Sequence, residues 1–278
     1  MRKLRSNVYL ETRYPGVALG AVASDDGLLL VDAPLRGDDA REWLAQLGSV
    51  GRPRYLALLD HHPDRALGAR GLDLPVVAQE ATLREMRGWP DAFKGSNRPI
   101  GGEADRLKRI TGVGRAVPEL GFSEEMQLQL GERQILLQHR PGPTSGSMWV
   151  VLPEAAIAFI GDTVTVAEPP YLGDAQLEDW LNQLEELRGS AFRSFLLIAG
   201  RDGVIEREDL NDMARFLRRV LHRIHRPRAG RSPAEAAARV ASEFMRGLSL
   251  PPVRRDLVRL RLQTGLTALF RRAIPGGT

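Results

Sequence analysis

Two neighbouring stretches, "MQLQLGERQILLQH" (126–139) and "MWVVLPEAAIAFIGD" (148–162), constrain this chain more than any other feature. Each is a pair of apolar runs that alternate about a short turn, Gly131-Glu132 in the first and Pro153-Glu154 in the second, as β-hairpins do. Successive hairpins commit the chain to a sheet whose apolar faces must be covered. Further buried strands are expected in "GLLLVDAP" (Leu28 to Val31), "RYLALLD" (Arg54 to Asp60), "LPVVAQE" (Leu74 to Glu80) and "FLLIAG" (Phe195 to Gly200). Between them, "DDAREWLAQLGSV" places Ala40, Trp43, Leu44 and Leu47 at helical spacing, and "DAQLEDWLNQLEELR" does the same for Leu177, Trp180, Leu181, Leu184 and Leu187. The pattern is a mixed α/β sandwich with polar loops following strands. Gly88 to Arg106 is a long irregular segment, read either as a lid or as a surface excursion.

Charge divides the chain in two. Residues 205–278 carry 16 arginines against seven acidic residues, a net of +9, which leaves 23 basic against 28 acidic residues, a net of −5, for 1–204. The natural boundary is therefore 1–204 as the body and 205–278 as a basic helical extension that packs on the body or on a second subunit. In the extension, "REDLNDMARFLRRVLHRIHR" sets Leu210, Met213, Leu217, Val220 and Ile224 on one face and Arg215, Arg219 and Arg223 on another. Ser232, Pro233 and Glu235 form a helix start of capping-box type, and "VRRDLVRLRLQTGLTALFRR" supplies a last helix. No exposed aromatics interleave with the basic residues, so a solvated helix face is expected rather than a nucleic-acid surface. No run is long or apolar enough for a signal peptide or a membrane span, and the expected location is the cytoplasm.

The chemistry must come from the loops. There are no cysteines and five histidines, so a metal site would use His, Asp, Glu or water. "LLDHHPDR" (58–65) follows one expected strand, "RPGPTSGS" (140–147) separates the two hairpins, "GDT" (161–163) ends the second, and "GRDG" (200–203) follows a late strand. In order, spacing and flanking strands these loops resemble the successive signatures of the metallo-β-lactamase fold superfamily, over roughly residues 7–204. The resemblance implies a four-layer αββα sandwich with a C-terminal helical extension, and an ancestry among metallo-hydrolases that act on esters, thioesters, lactams, lactones, phosphodiesters or sulfur compounds.

Active members hold two metal ions with a His-x-His-x-Asp-His loop, a histidine in a Pro-Gly-His-Thr turn, a bridging aspartate in a Gly-Asp turn and a histidine in a Gly-His-Gly turn. Here the loop positions read Asp60, His62, Asp64 and Arg65, the turn carries Pro143, the bridging aspartate is Asp162, and Arg201 stands at or beside the last histidine. The resemblance thus implies no dinuclear zinc centre. Asp60, His62 and Asp162 remain as ligands for at most one divalent ion, and two carboxylates with one imidazole suit Mn²⁺, Fe²⁺ or Mg²⁺ at least as well as Zn²⁺. In the second subsite an arginine cannot coordinate a cation, so Arg65 and Arg201 are expected to stand in for its charge beside Asp64 and Asp162; the alternative turns Arg201 to solvent and puts Asp202 in its place. Asp32 matches an aspartate that braces the metal loops. His61, His139, Thr144, Ser145 and Ser147 are expected to serve structure.

Two functions follow. The chain is either a member with an eroded site that binds a small molecule or a partner, its helical extension offering a surface for homo-oligomers, or a hydrolase using one ion at Asp60, His62 and Asp162 with Asp64 as proton acceptor. Nucleic acid and membrane are not expected partners.

Overall fold

A computed structural model describes residues 1–90, 102–106, 115–226 and 232–273. Most of the long segment before Arg106, read above as a lid or an excursion, lies outside the described residues.

Among the described residues, thirteen strands form two sheets. The first runs in sequence order through β1 (Arg2–Lys3), β2 (Val8–Glu11), β3 (Leu19–Ser24), β4 (Gly27–Val31), β5 (Pro53–Ala57), β6 (Val76–Gln79) and β7 (Leu120–Phe122), antiparallel up to β4 and parallel from there. The second comprises β8 (Glu125–Leu130), β9 (Arg133–His139), β10 (Met148–Leu152), β11 (Ile157–Gly161), β12 (Leu196–Ala199) and β13 (Gly203–Val204), in the spatial order β13-β12-β11-β10-β9-β8. Both expected hairpins are present, with Leu130 opposite Arg133 and Leu152 opposite Ile157. Seven α-helices are described: α1 (Gly37–Leu47), α2 (Pro63–Ala66), α3 (Glu80–Gly88), α4 (Leu177–Arg188), α5 (Arg207–His225), α6 (Pro233–Met245) and α7 (Pro252–Ala273).

The period of two along each strand builds the layers. Leu29 and Val31 of β4, with Val150 and Leu152 of β10 and Phe159 of β11, meet between the sheets. Leu28 and Leu30 point the other way onto Trp43 and Leu47 of α1 and Met86 of α3, while Trp149 and Ile160 point outward onto Trp180 and Leu184 of α4. The order is helix, sheet, sheet, helix: the αββα sandwich. At roughly 1.5–3 kcal/mol for each large apolar side chain removed from water, these three cores supply the main drive to fold.

Helices α5, α6 and α7 join the outer layer beside α4. Leu210, Leu217, Val240, Phe244, Leu262 and Phe270 share one core with Trp149 and Trp180. The boundary at 204/205 therefore marks a change of composition, not a second core. The capping box at the start of α6 is formed as the sequence indicates, Ser232 Oγ accepting from Glu235 N and Glu235 reaching back to Ser232 N. Arg215, Arg219 and Arg223 lie on the outer side of α5, where Arg223 makes two bonds to Glu243 of α6 and Arg219 stacks over Phe244. One arginine of α7 departs from the expected solvated basic face: Arg261 is 5% exposed and turned inward, where Glu168 of the body receives it. No helix among the described residues is long and apolar enough to cross a membrane.

Two expected strands are shorter than their apolar runs. β5 stops at Ala57 rather than Asp60 because Leu59 turns to serve both sheets, its N–H donating to Asp32 Oδ1 and its carbonyl accepting from Met148 N. β6 stops at Gln79, whose side chain caps α3 by accepting from Ala81 N.

Candidate metal-replacing site

The ends of β4, β5, β11 and β12 reach the same edge of the sandwich, and the loops that leave them carry Asp32, Asp60 to Arg65, Asp162 and Arg201. Pro63 opens the single turn of α2, which turns Asp64 and Arg65 inward. Asp32, Asp60, His62, Asp64, Arg65 and Asp162 are all buried, so every charge here must be met by another group.

Arg65 is fully enclosed. Its Nη2 donates to Asp162 Oδ1, its Nε lies 3.2 Å from Asp60 Oδ1, and its Nη1 lies 3.4 Å from Asp32 Oδ2. The guanidinium rests against the backbone of Gly200, where a Cβ would stand 2.7 Å from both terminal nitrogens; only glycine leaves that room. Arg201 enters from the opposite side. Its Nε and Nη2 each lie 2.9 Å from Asp162 Oδ2, and its Nη1 donates to Asp64 Oδ2 and the Gly16 carbonyl. Asp64 is completed by the backbone N–H groups of Glu103 and Ala104, each at 2.9 Å. Asp202 does not take Arg201's place: its carboxylate caps the loop after β11, accepting from Val166 N and Ala167 N.

The first subsite is different. Asp60, His62 and Asp162 each present a ligand atom within 4.8 Å of the others. His62 Nδ1 lies 3.0 Å from Asp60 Oδ2 and 3.5 Å from Asp162 Oδ2, yet Asp60 Oδ2 and both ring nitrogens of His62 make no well-formed hydrogen bond. Burial raises the Asp60 carboxyl, but the Arg65 guanidinium and then the His62 ring outweigh it and leave it below its usual range. Asp162 follows suit against its own burial, through Arg201, Arg65 and His62 in that order. His62 is disfavoured as a cation by burial and still raised, by Asp60 first and Asp162 after it. Asp32, with burial dominating over the pull of Arg65, is pushed up to about 7.

His61 faces out of this cluster, 3.5 Å from Asp174, and His139 Nε2 meets the Ser145 carbonyl. Thr144 and Ser147 bond each other across the turn. Asp32 has the bracing geometry expected, in a left-handed backbone conformation at φ 61°. Above Arg201 opens a cavity of about 160 Å³ lined by Gly16, Tyr171, Glu103, Glu168, Arg254 and Arg261 among others. Tyr171 meets the His62 ring edge-on. Sequence reasoning found none of these six, because nothing local connects them to the motif loops.

Residues 17–191 match the family described as the metallo-beta-lactamase superfamily. Among solved structures, the chain is similar to a metallo-beta-lactamase from Pontibacter korlensis (18% identity, 78% of this chain and 97% of that one, TM-score 0.62). It is also similar to a metallo-beta-lactamase family protein from Thermus thermophilus (19% identity, 95% and 92% covered, TM-score 0.67), whose match extends over the C-terminal helices as well. At these identities the likeness establishes the fold. No curated protein matches the sequence.

Proposed function

The chain belongs to the metallo-β-lactamase superfamily, and from that premise we propose that its two-metal hydrolytic centre has been exchanged for an internal ion-pair cluster, in a protein that binds a small molecule or a partner without dinuclear chemistry. One observation carries this reading: the Arg201 guanidinium lies between Asp64 and Asp162, bonded to both. A guanidinium has no lone pair to offer a metal and keeps its charge at any working pH. The donor set at that subsite does not fit a cation.

Asp64 is equally ill placed for a part in catalysis. It is fully buried and already takes three N–H donors. The cavity above Arg201 supports a small ligand as the occupant.

The orphaned atoms of Asp60 and His62 favour a second reading, a mononuclear hydrolase. Asp60, His62 and Asp162 would hold the ion. A single divalent ion there would supply Lewis-acid polarisation of a carbonyl or phosphoryl oxygen. Elemental analysis of protein purified without chelator decides between the two: metal far below one ion per chain is expected, whereas one Mn²⁺, Fe²⁺, Mg²⁺ or Zn²⁺ per chain, lost in Asp162→Ala, would overturn the metal-free reading in favour of the second.

A further inference from the structure

The backbone that completes Asp64 is held from the far end of the chain. Gly102 presses so closely on the cluster that a Cβ there would stand 1.5 Å from Asp64 Oδ2 and 2.7 Å from Arg201 Nη1. The next two residues, Glu103 and Ala104, donate their N–H groups to Asp64. Arg261 Nη2 donates to the Gly102 carbonyl at 2.9 Å, and Arg254 bonds the Glu103 carboxylate. Both arginines also grip Glu168, Arg254 at Oε1 and Arg261 at Oε2. They lie seven residues apart on α7 and so project from the same side, two turns along the helix.

We propose that Arg254 and Arg261 are positioning residues of the candidate site: α7 straps the Gly102–Ala104 backbone against Asp64 and thereby fixes the orientation in which Asp64 receives Arg201. For its functional meaning this rests on reading Asp64, Arg201 and Asp162 as the metal-replacing cluster. Physically it needs only the contacts just described. A peptide carbonyl held by a buried guanidinium is hard to displace, since loosening it leaves both the carbonyl and an N–H of the guanidinium without a partner in a site largely closed to water. The sequence 102-103-104 is too short to absorb a shift at Gly102 without moving both N–H donors. Coupling is thus carried by a contiguous chain of bonds, Arg261 to Gly102, Glu103 to Asp64, Asp64 to Arg201, rather than by proximity alone.

Amide hydrogen exchange on the full-length protein tests it, together with the NMR signal of the Arg201 Nε–H group. In Arg261→Gln the Glu103 and Ala104 amides are expected to exchange roughly tenfold faster or more, with the Arg201 Nε–H signal shifted, while the amides of β4 and β10 keep their rates. Arg261→Lys should restore part of the protection. Arg254→Gln, at a more exposed position, gives the same pattern more weakly and serves if Arg261→Gln does not fold. Unchanged exchange at residues 103 and 104 in Arg254→Gln, or acceleration no greater there than throughout α6 and α7, would overturn the proposal. Metal content plays no part in this readout, so a metal-loaded protein with strapped amides would sink the proposed function and leave this inference standing.

Discussion

Arg201 holds a single oxygen of Asp162 with two nitrogens, Nε and Nη2 each 2.9 Å from Oδ2, while Arg65 takes the other oxygen. A carboxylate enclosed between two guanidinia is stable only as a complete set. Removing one partner from such a buried arrangement typically costs about 3–5 kcal/mol, because what remains is an uncompensated charge in a low dielectric.

Asp162→Asn keeps the shape and removes the charge, leaving Arg65 and Arg201 to face a neutral amide. A loss of about 3–5 kcal/mol is expected, at roughly 2–4 °C of melting temperature for each kcal/mol. Added Zn²⁺ should recover none of it. Calorimetry with and without the ion measures both, and a variant melting with the wild type would show that the pairs contribute little.

Arg65→His with Arg201→His behaves differently. It restores two imidazoles but deletes two permanent charges beside Asp64 and Asp162, so the protein should melt lower by the equivalent of a few kcal/mol. It should recover in part with Zn²⁺, which now binds the folded state alone. Wild type should be indifferent to both zinc and chelator. Equal melting of the double variant with and without zinc would count against charge substitution.

Stability should peak at mildly acidic pH. Asp60 and Asp162, held below the usual range, contribute stability that is present above the unfolded value near 3.9 and disappears as pH falls through their folded values. His62, raised, contributes stability that is full below its unfolded value near 6.5 and fades as pH rises through its folded one. Asp32, at about 7 in the fold, adds a cost that grows as pH climbs from about 4 to 7. The melting temperature should therefore be higher near pH 5–6 than at pH 8, and Asp32→Asn should flatten the fall between pH 4 and 7. A steady rise from pH 5 to 8 would contradict this assignment.

In the extension, Ser232→Ala removes the cap of α6, whose Val240 and Phe244 belong to the shared core. About 1 kcal/mol should be lost. Denaturant unfolding should show one transition in wild type and variant alike, since the described residues of the extension have no core of their own to melt separately; two transitions would argue for an independent tail.

The parts of the site legible in sequence are those that sit in unbroken loops. Asp60, His62, Asp64 and Arg65 occupy one eight-residue stretch, and Asp162 and Arg201 each follow a strand, so strand order alone brings them to one edge. Gly102, Glu103, Glu168, Tyr171, Arg254 and Arg261 meet only through tertiary docking. The basic residues of α7 resemble a solvated face because its charges are spread around the helix. The one available signal was the imbalance between a body at −5 and a tail at +9: Glu103, Glu168 and Glu185 of the body are the partners of Arg254, Arg261 and Arg218. The end of β5, three residues short of its apolar run, is hidden from the sequence for the same reason, since the hydrogen bonds that draw Leu59 away come from Asp32 and Met148.

The interlocking of Arg65 and Arg201 around Asp162 also bears on descent. If the proposed exchange is what happened, reversion at either position alone would meet a cluster in which the other guanidinium still blocks the cation, and the lineage would face a valley between the two states. Neither intermediate would have the old catalyst or the new stability. On the proposed exchange, drift back toward two-metal chemistry would need these two codons to change together, besides those of Asp60 and Pro143, which would make the arginine pair an evolutionary ratchet.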